Sequence, residues 1–452
     1  MIPLAGMFSK RKWLIGKLEK PVGLAFLIWF HIVICCVSLV YASYASYSAY
    51  PYFFNAPMYH IFYDPSRLYC AVGGVSVFAL VSFLFPLVQF SFGYFIGFYF
   101  YTMVLNYVWL NCFSDLIYNH QLAGLSAVTS AFAFLIPALL IVAPIRQTYI
   151  MSARALEYLL AFILLLAVAT IAIGAIYNFQ FVALGDIYTF RDKLKFPIIE
   201  NYLIGMTSNA LLPFAFACFV ARRNRWRAGA TLILLLLFYP ITLSKLAFFA
   251  PAWLIALALL SRVFEARTTV LLSLLLPILA GVLVVFFKSE IPLFLFKAGA
   301  QYFFWVNFRM VAIPGTALDV YNDFFSKHEL TYFCQISLLK PFLPCAYPDP
   351  LSIVMERAYQ LGNFNASLFA TEGIASVGLT YAPISAFLCG LMIALGNRLS
   401  AGLPPRFLII SGAVLTQPLL NVPLSTVLLT HGAAFLLLLW YITPRTIFEQ
   451  SG

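Results

Sequence analysis

The chain has 452 residues, of which 63% are hydrophobic, 17% aromatic and only 10% charged, with a formal net charge of +11. A soluble protein would carry about 25% charged residues, so a mean hydropathy of +0.94 excludes an ordinary soluble domain and makes the bilayer the first solvent to consider. The positive balance would suggest nucleic acid in a soluble protein; here it reads as a topology signal, and no nucleic-acid partner is expected.

The N-terminal stretch "SKRKWLIGKLEK" is basic. The apolar run after it starts at Pro21, has the length of a span and lacks a small-x-small cleavage site, so it is expected to remain as a start-transfer helix. Apolar length then predicts spans at 21–43, 69–89, 94–113, 124–143, 156–177, 201–221, 228–243, 246–261, 268–287, 377–395, 407–420 and 425–442. This is an all-α polytopic membrane protein of about twelve transmembrane helices, a single integral membrane domain over 1–452. Lys and Arg orient it with both termini cytoplasmic. The inside turns "RRNRWR", "SRVFEAR" and "GNRLSAGLPPR", the inside segment 144–157 and both ends hold sixteen of the 27 cations, but only Glu19, Glu157, Glu265 and Glu449 of the 16 acids.

Two stretches break the pattern. Residues 228–261 form one apolar block, on the order of 50 Å as a straight helix, with basic clusters at both ends. A tight hairpin is expected near Pro240–Lys245. In 407–442, "TQPLLNVPLST" interrupts two short spans. Two segments face outward. Residues 178–200 form a short outer loop. Residues 288–376 form a long one that alternates aromatic stretches with Pro and Gly, which predicts short helices on or dipping into the membrane surface.

No Walker A motif, dinucleotide fingerprint, nucleophile elbow or metal-spaced His/Cys cluster occurs, and His31, His60, His120, His328 and His431 are scattered. No cofactor and no protein-held metal are expected. The outer side instead carries cations that the positive-inside rule disfavours: Arg67, Arg191, Lys193, Lys195, Lys245, Lys288, Lys297, Arg309, Lys327, Lys340 and Arg357. Cations at membrane depth need anionic partners, and a guanidinium fork suits phosphate. The bland alternative is salt bridging: "RDK" contains Asp192, and Arg309 has Asp319 and Asp323 within reach in sequence. Outward carboxylates able to act as a base are Asp186, Asp319, Asp323, Glu356 and Glu372. Cys35, Cys36, Cys70, Cys112, Cys218 and Cys389 fall in spans and read as small apolar residues. Cys334 and Cys345 flank "QISLLKPFLP" and can form a disulfide if that side is oxidising.

The stretches "NFRMVAIPGTALDVYNDFF", "LGNFNASLFATEGIASVGLTYAPISAFLCGLM" and "NVPLSTVLLTHGAAFLLLLWY" resemble the C-terminal half of Wzy-type O-antigen or repeat-unit polymerases. "LGDIYTFRDKL" and "LSKLAFFAPAWL" are similar to that family's shorter loop and cation-bearing hairpin. The likeness covers roughly 178–442, and the Gly373–Gly378 spacing departs from the family pattern.

The resemblance implies a GT-C-like glycosyltransferase of the bacterial inner membrane. It would move an undecaprenyl-diphosphate-linked glycan, without metal, onto a single lipid-linked repeat unit. Arg309, Glu372 and His328 would be catalytic, with Glu372 first as base. Arg191, Lys245 and Arg309 would grip the diphosphate, Asn365 and Glu372 would sit near the acceptor sugar, and Lys193, Lys195, Arg357, Asn363 and Tyr321 would also bind substrate. Phe303, Phe304 and Trp305 would line the mouth for the polyprenyl tail. A Wzz-type chain-length regulator is the implied partner beside membrane lipid. Alternatives are the related O-antigen ligase, and a flippase or transporter of lipid-linked saccharide, which the outer placement of the cations disfavours.

Overall fold

The computed structural model describes residues 16, 18–44, 59–183, 186–191, 194–287, 292–336, 339, 342–362 and 366–451. Among them there is no strand, only an isolated antiparallel bridge between Ile61 and Ser114. The helices in chain order are α1 (Pro21–Tyr44), α2 (Pro65–Leu87), α3 (Phe92–Leu110), α4 (His120–Leu140), α5 (Ala153–Tyr177), α6 (Ile198–Ala221), α7 (Arg225–Thr242), α8 (Lys245–Val263), α9 (Ala266–Phe286), α10 (Leu293–Phe303), α11 (Ile313–Phe325), α12 (Leu351–Tyr359), α13 (Ala370–Ser400), α14 (Pro405–Gly412), α15 (Thr416–Asn421), α16 (Leu424–Leu429) and α17 (Ala433–Ile442). Eight of these, α1, α2, α4, α5, α6, α8, α9 and α13, are long and apolar enough to cross a membrane. The chain is a multi-pass membrane protein. The other predicted spans fall on α3, α7, the α14–α15 pair and the α16–α17 pair.

The described residues form two compact units, one of 1–140, 267–392 and 420–423, the other of 141–266, 393–419 and 424–452. The first is built around α3, "FGYFIGFYFYTMVLNYVWL", all of whose residues are buried. It is apolar around its whole circumference, so it stabilises the unit only when surrounded. Helices α1, α2, α4 and α11 pack on it. Gly315 permits the last contact: a Cβ there would meet Leu110 Cδ1 at 2.6 Å and the backbone of Asn106 and Tyr107 at 3.3 Å.

Within 288–376, where separate short helices are expected, Leu351–Tyr359 is one such helix, but 293–325 is a single continuous helical run. Helix α10 passes through π-helical turns at Phe304–Ala312 directly into α11. Pro314 does not stop the run. It lies in the first turn of α11, where a missing N–H costs little, and the preceding turns are widened, with Ile313 N bonding to Phe308 O. Asn307, fully buried, donates to Ser38 Oγ of α1 (3.0 Å) and to the Ile278 carbonyl of α9 (2.7 Å). Farther along, Asn322 donates to the Tyr107 hydroxyl of α3 at 2.9 Å. The run therefore passes from the C-terminal halves of α1 and α9 to the C-terminal end of α3.

Beyond α11, the Thr331 and Tyr332 amides bond to the Ala375 and Ser376 carbonyls at the start of α13 (2.8 and 3.1 Å). Cys334 and Cys345 are joined by a disulfide with a Cα–Cα distance of 5.3 Å. Helix α13 opens with a π-helical turn at Ala370–Ile374 and kinks at Gly378. The φ of +75° there is a conformation that only glycine takes readily.

In the second unit the long apolar block divides into α7 and α8. The turn uses Leu243 in the left-handed region, and Asn178 Nδ2 satisfies the Pro240 and Ile241 carbonyls at 3.0 and 2.8 Å. Glu157 draws in two of the basic-turn residues, Arg222 and Arg227.

Candidate active site

Helix α11 is the spine of the site. Its "LDVYND" places Asp319, Asn322 and Asp323 three and four residues apart, hence on one face. That face meets the polar segment after α3, Asn111–His120. Asp319 is 3% exposed and Asp323 5%. Asp319 accepts from Ser114 Oγ at 2.6 Å and from the Tyr118 hydroxyl. Asp323 accepts from the Ile117 amide (3.2 Å), the Tyr359 hydroxyl (2.6 Å) and Lys327 Nζ (2.5 Å). The network continues through Tyr118 and His120 Nδ1, both bonded to Asn111 Oδ1 (2.9 and 2.8 Å). Buried carboxylates are tolerated only with such donors.

Burial pushes the Asp319 carboxyl up to about 7; the Ser114 and Tyr118 bonds oppose this, and the charges of Asp323 and Asp115 add to it. Burial also pushes the Tyr118 hydroxyl well up. Asp319 can thus exchange a proton near neutral pH inside a closed network. Asp323 ties α11 to both the 111–120 segment and α12.

Replacing Tyr359 with Phe removes the tie to α12 while Asp323 keeps two donors. The lost bond to a charged acceptor is worth about 1.5–3 kcal/mol. We expect amide exchange over 351–359 to rise more than tenfold while exchange over α3 is unchanged; mass spectrometry of exchanged peptides checks this, and equal protection in both proteins would refute the tie.

A second polar group lies along α11. Tyr321 is fully buried, hydrogen-bonds Thr371 and feels the charge of Glu372. Glu372 stands in the π-helical turn that opens α13, half-buried. Its carboxylate accepts from the Leu368 amide (2.7 Å) and Ser367 Oγ (3.3 Å). π-Helical turns recur at functional sites because they re-aim one side chain out of the helical register.

His328, just past α11, is exposed and stacks on Phe324 with ring centroids 4.0 Å apart. Its Nδ1 bonds to the Phe324 carbonyl at 2.8 Å. A carbonyl only accepts, so Nδ1 carries hydrogen and Nε2 of the neutral ring is left to take a proton.

Arg309 is exposed and sits in the other π-helical segment of this unit. It lies ten residues before Asp319, roughly 15 Å back along the axis, and both carboxylates of the α11 network have their own donors. Phe303 is buried at 2% exposure, so it packs inward instead of lining a mouth for a lipid tail. Phe304 and Trp305 are half-buried. Arg357 is exposed and pairs with Asp349 at 2.6 Å, a contact worth little in water.

In the second unit, Arg191 is exposed at the end of the short helix Ile187–Arg191, Lys195 is exposed, and Lys245 is half-buried at the first position of α8. A cation there faces the positive end of the helix dipole, an arrangement that an anionic ligand would relieve. Lys193, Asn363 and Asn365 lie outside the described residues.

No family model matches the chain, and neither does any curated protein or solved structure.

The first unit thus brings Tyr321, Glu372 and His328 to one stretch of α11 and its end, with Arg309 farther back on the same run. Sequence reasoning treated Asp319 and Asp323 as spare bases or partners of Arg309, and missed their donors Ser114, Tyr118 and Tyr359. The polar run "NCFSDLIYNHQ" at 111–121, between two apolar stretches, was the available signal.

Proposed function

We propose that the chain is a lipid-linked repeat-unit polymerase of the Wzy type, spanning the bacterial inner membrane about twelve times in a GT-C-like arrangement with both termini cytoplasmic. The observation that carries this reading is the exposed Arg309 on a π-helical segment of an otherwise aromatic helical run. In the predicted topology α1, α3 and α9 all run outward, so their C-terminal ends lie on the periplasmic side. The run that carries Arg309 passes over them.

In the proposed reaction, a base takes the proton of an acceptor-sugar hydroxyl. That oxygen bonds to the anomeric carbon of the donor glycan, and the bond from that carbon to the diphosphate breaks. Undecaprenyl diphosphate leaves with the electron pair. A diphosphate is a good leaving group once its charge is neutralised, which asks for cations more than for a general acid. Arg309 supplies the fork for it. Glu372, held by the Leu368 amide, is the first candidate for the base, and His328 through Nε2 is the second.

The test is reconstitution of the purified protein in vesicles with a lipid-linked repeat unit as the sole substrate. Dimers and longer chains are expected, with release of undecaprenyl diphosphate. A ligase would need lipid A core, and a flippase would move the substrate without joining it. Absence of dimers from protein shown to be folded would sink the polymerase reading.

A further inference from the structure

A second pair of cysteines stands where a bond can close. Cys112, in the turn after α3, has its Sγ 3.9 Å from Cys70 Sγ near the start of α2. Cys70 is exposed and Cys112 is half-buried. Read as sequence, both are small apolar residues of separate spans. The fold brings them together because the 59–70 segment is zipped to the end of α3. Phe62 N bonds to Phe113 O at 3.0 Å, Ile61 bridges Ser114, and Arg67 Nη1 donates to the Cys112 carbonyl at 3.3 Å. Closure to a covalent S–S distance of about 2.05 Å asks the sulfurs to approach by roughly 2 Å, within reach of side-chain rotation.

The chemical surroundings of this pair follow from the same unit. Ser114 and Ile117, just beyond Cys112, bond to Asp319 and Asp323 of α11. The Cys334–Cys345 disulfide lies just past the C-terminal end of α11, where Tyr347 packs on Phe324 with ring centroids 5.9 Å apart. Both sulfur pairs therefore belong to segments joined to α11, one through Ser114 and Ile117 and the other through Tyr347. An environment that oxidises one pair reaches the other.

We propose that Cys70 and Cys112 form a second disulfide. The oxidant is a disulfide carrier, either a dithiol oxidase or glutathione disulfide. The exposed Cys70 thiolate attacks a carrier sulfur, giving a mixed disulfide and releasing one carrier thiolate. The Cys112 thiolate then attacks Cys70 Sγ, and the second carrier sulfur leaves. Two thiols are oxidised, two electrons reduce the carrier disulfide, and two protons are released. The bridge fastens the segment whose Ser114, Ile117 and Tyr118 hold the α11 carboxylates.

The experiment is alkylation of membranes containing the full-length chain under denaturing, non-reducing conditions, followed by digestion and mass spectrometry. The expected result is a cross-linked peptide pair holding Cys70 and Cys112, neither alkylated, with both labelled only after reduction. In Cys70→Ser, Cys112 should become fully alkylated while Cys334 and Cys345 remain protected. If Cys70 and Cys112 are both alkylated without reduction while Cys334 and Cys345 are protected, the proposal is overturned. Alkylation of all four overturns it as well, because the shared oxidising environment is then absent.

Discussion

Arg309→Ala should reduce chain elongation by two to three orders of magnitude, leaving single repeat units on the lipid and protein abundance unchanged. Removal of one preorganised group that stabilises developing charge costs about 10²–10³ in rate, and the leaving diphosphate is where charge develops in the proposed reaction. The fold should survive, because Arg309 is exposed and exposed substitutions mostly shift stability by less than about 0.5 kcal/mol. What holds the turn in place is its buried neighbour Asn307, through Ser38 and the Ile278 carbonyl. Arg309→Lys keeps the charge and loses the two-pronged geometry, so a deficit of about tenfold is expected, between wild type and Ala. The measurement is the ladder of product lengths at matched protein levels. A full-length ladder from the Ala variant would remove Arg309 from the mechanism, and an Ala variant that fails to accumulate would make Asn307's support of the turn insufficient.

Much of the helical framework was legible because apolar length is a direct readout of a hydrocarbon slab. Seven of the eight membrane-length helices coincide with predicted spans to within about four residues; the eighth, Ala370–Ser400, extends well beyond the predicted 377–395 at both ends. The 293–325 run was legible only in pieces. Its Pro and Gly read as breaks, yet Pro314 follows a widened turn, and Gly315 is a point of close approach to α3. Such roles depend on what lies across the helix, which a linear pattern does not contain. The site divides in the same way. Arg309 could be picked out as a charge in apolar surroundings, whereas Glu372 was one of five outward carboxylates until the resemblance put it first, and His328 came from the resemblance alone. The donors to Asp319 could not be picked out, because Ser114 and Tyr118 stand about two hundred residues earlier in the chain. The pairing of Cys70 with Cys112 was hidden for the same reason: each falls in its own apolar run.

Asp319 should make the protein more stable in mild acid than in mild base, and Asp319→Asn should abolish that share of the dependence. The carboxyl is pushed from an ordinary 3.8 up to about 7, by burial first and then by the charges of Asp323 and Asp115. A raised value in the folded state means that the folded chain holds the proton more tightly than the unfolded one. The stabilisation is therefore complete below about pH 4 and is lost as pH rises through about 7. A difference of about three pK units corresponds to about 4 kcal/mol. About two of those units are lost between pH 5 and pH 8, about 3 kcal/mol, which for a chain of this size is a fall in Tm of a few degrees. Asn is a neutral isostere that can still accept from Ser114 and Tyr118, so the variant resembles the protonated state at every pH. Tyr118, Tyr359, Lys327, Asp115 and His120 face the same network in both proteins. The difference between the two Tm profiles in detergent therefore isolates Asp319. It should vanish only below about pH 4, stand at about 1–2 kcal/mol near pH 5 and widen towards pH 8, with the variant the more stable. Parallel profiles across that range would mean that Asp319 stays charged throughout and that the network around it, with Ser114, Tyr118 and the nearby Lys327, is polar enough to hold a second anion beside Asp323.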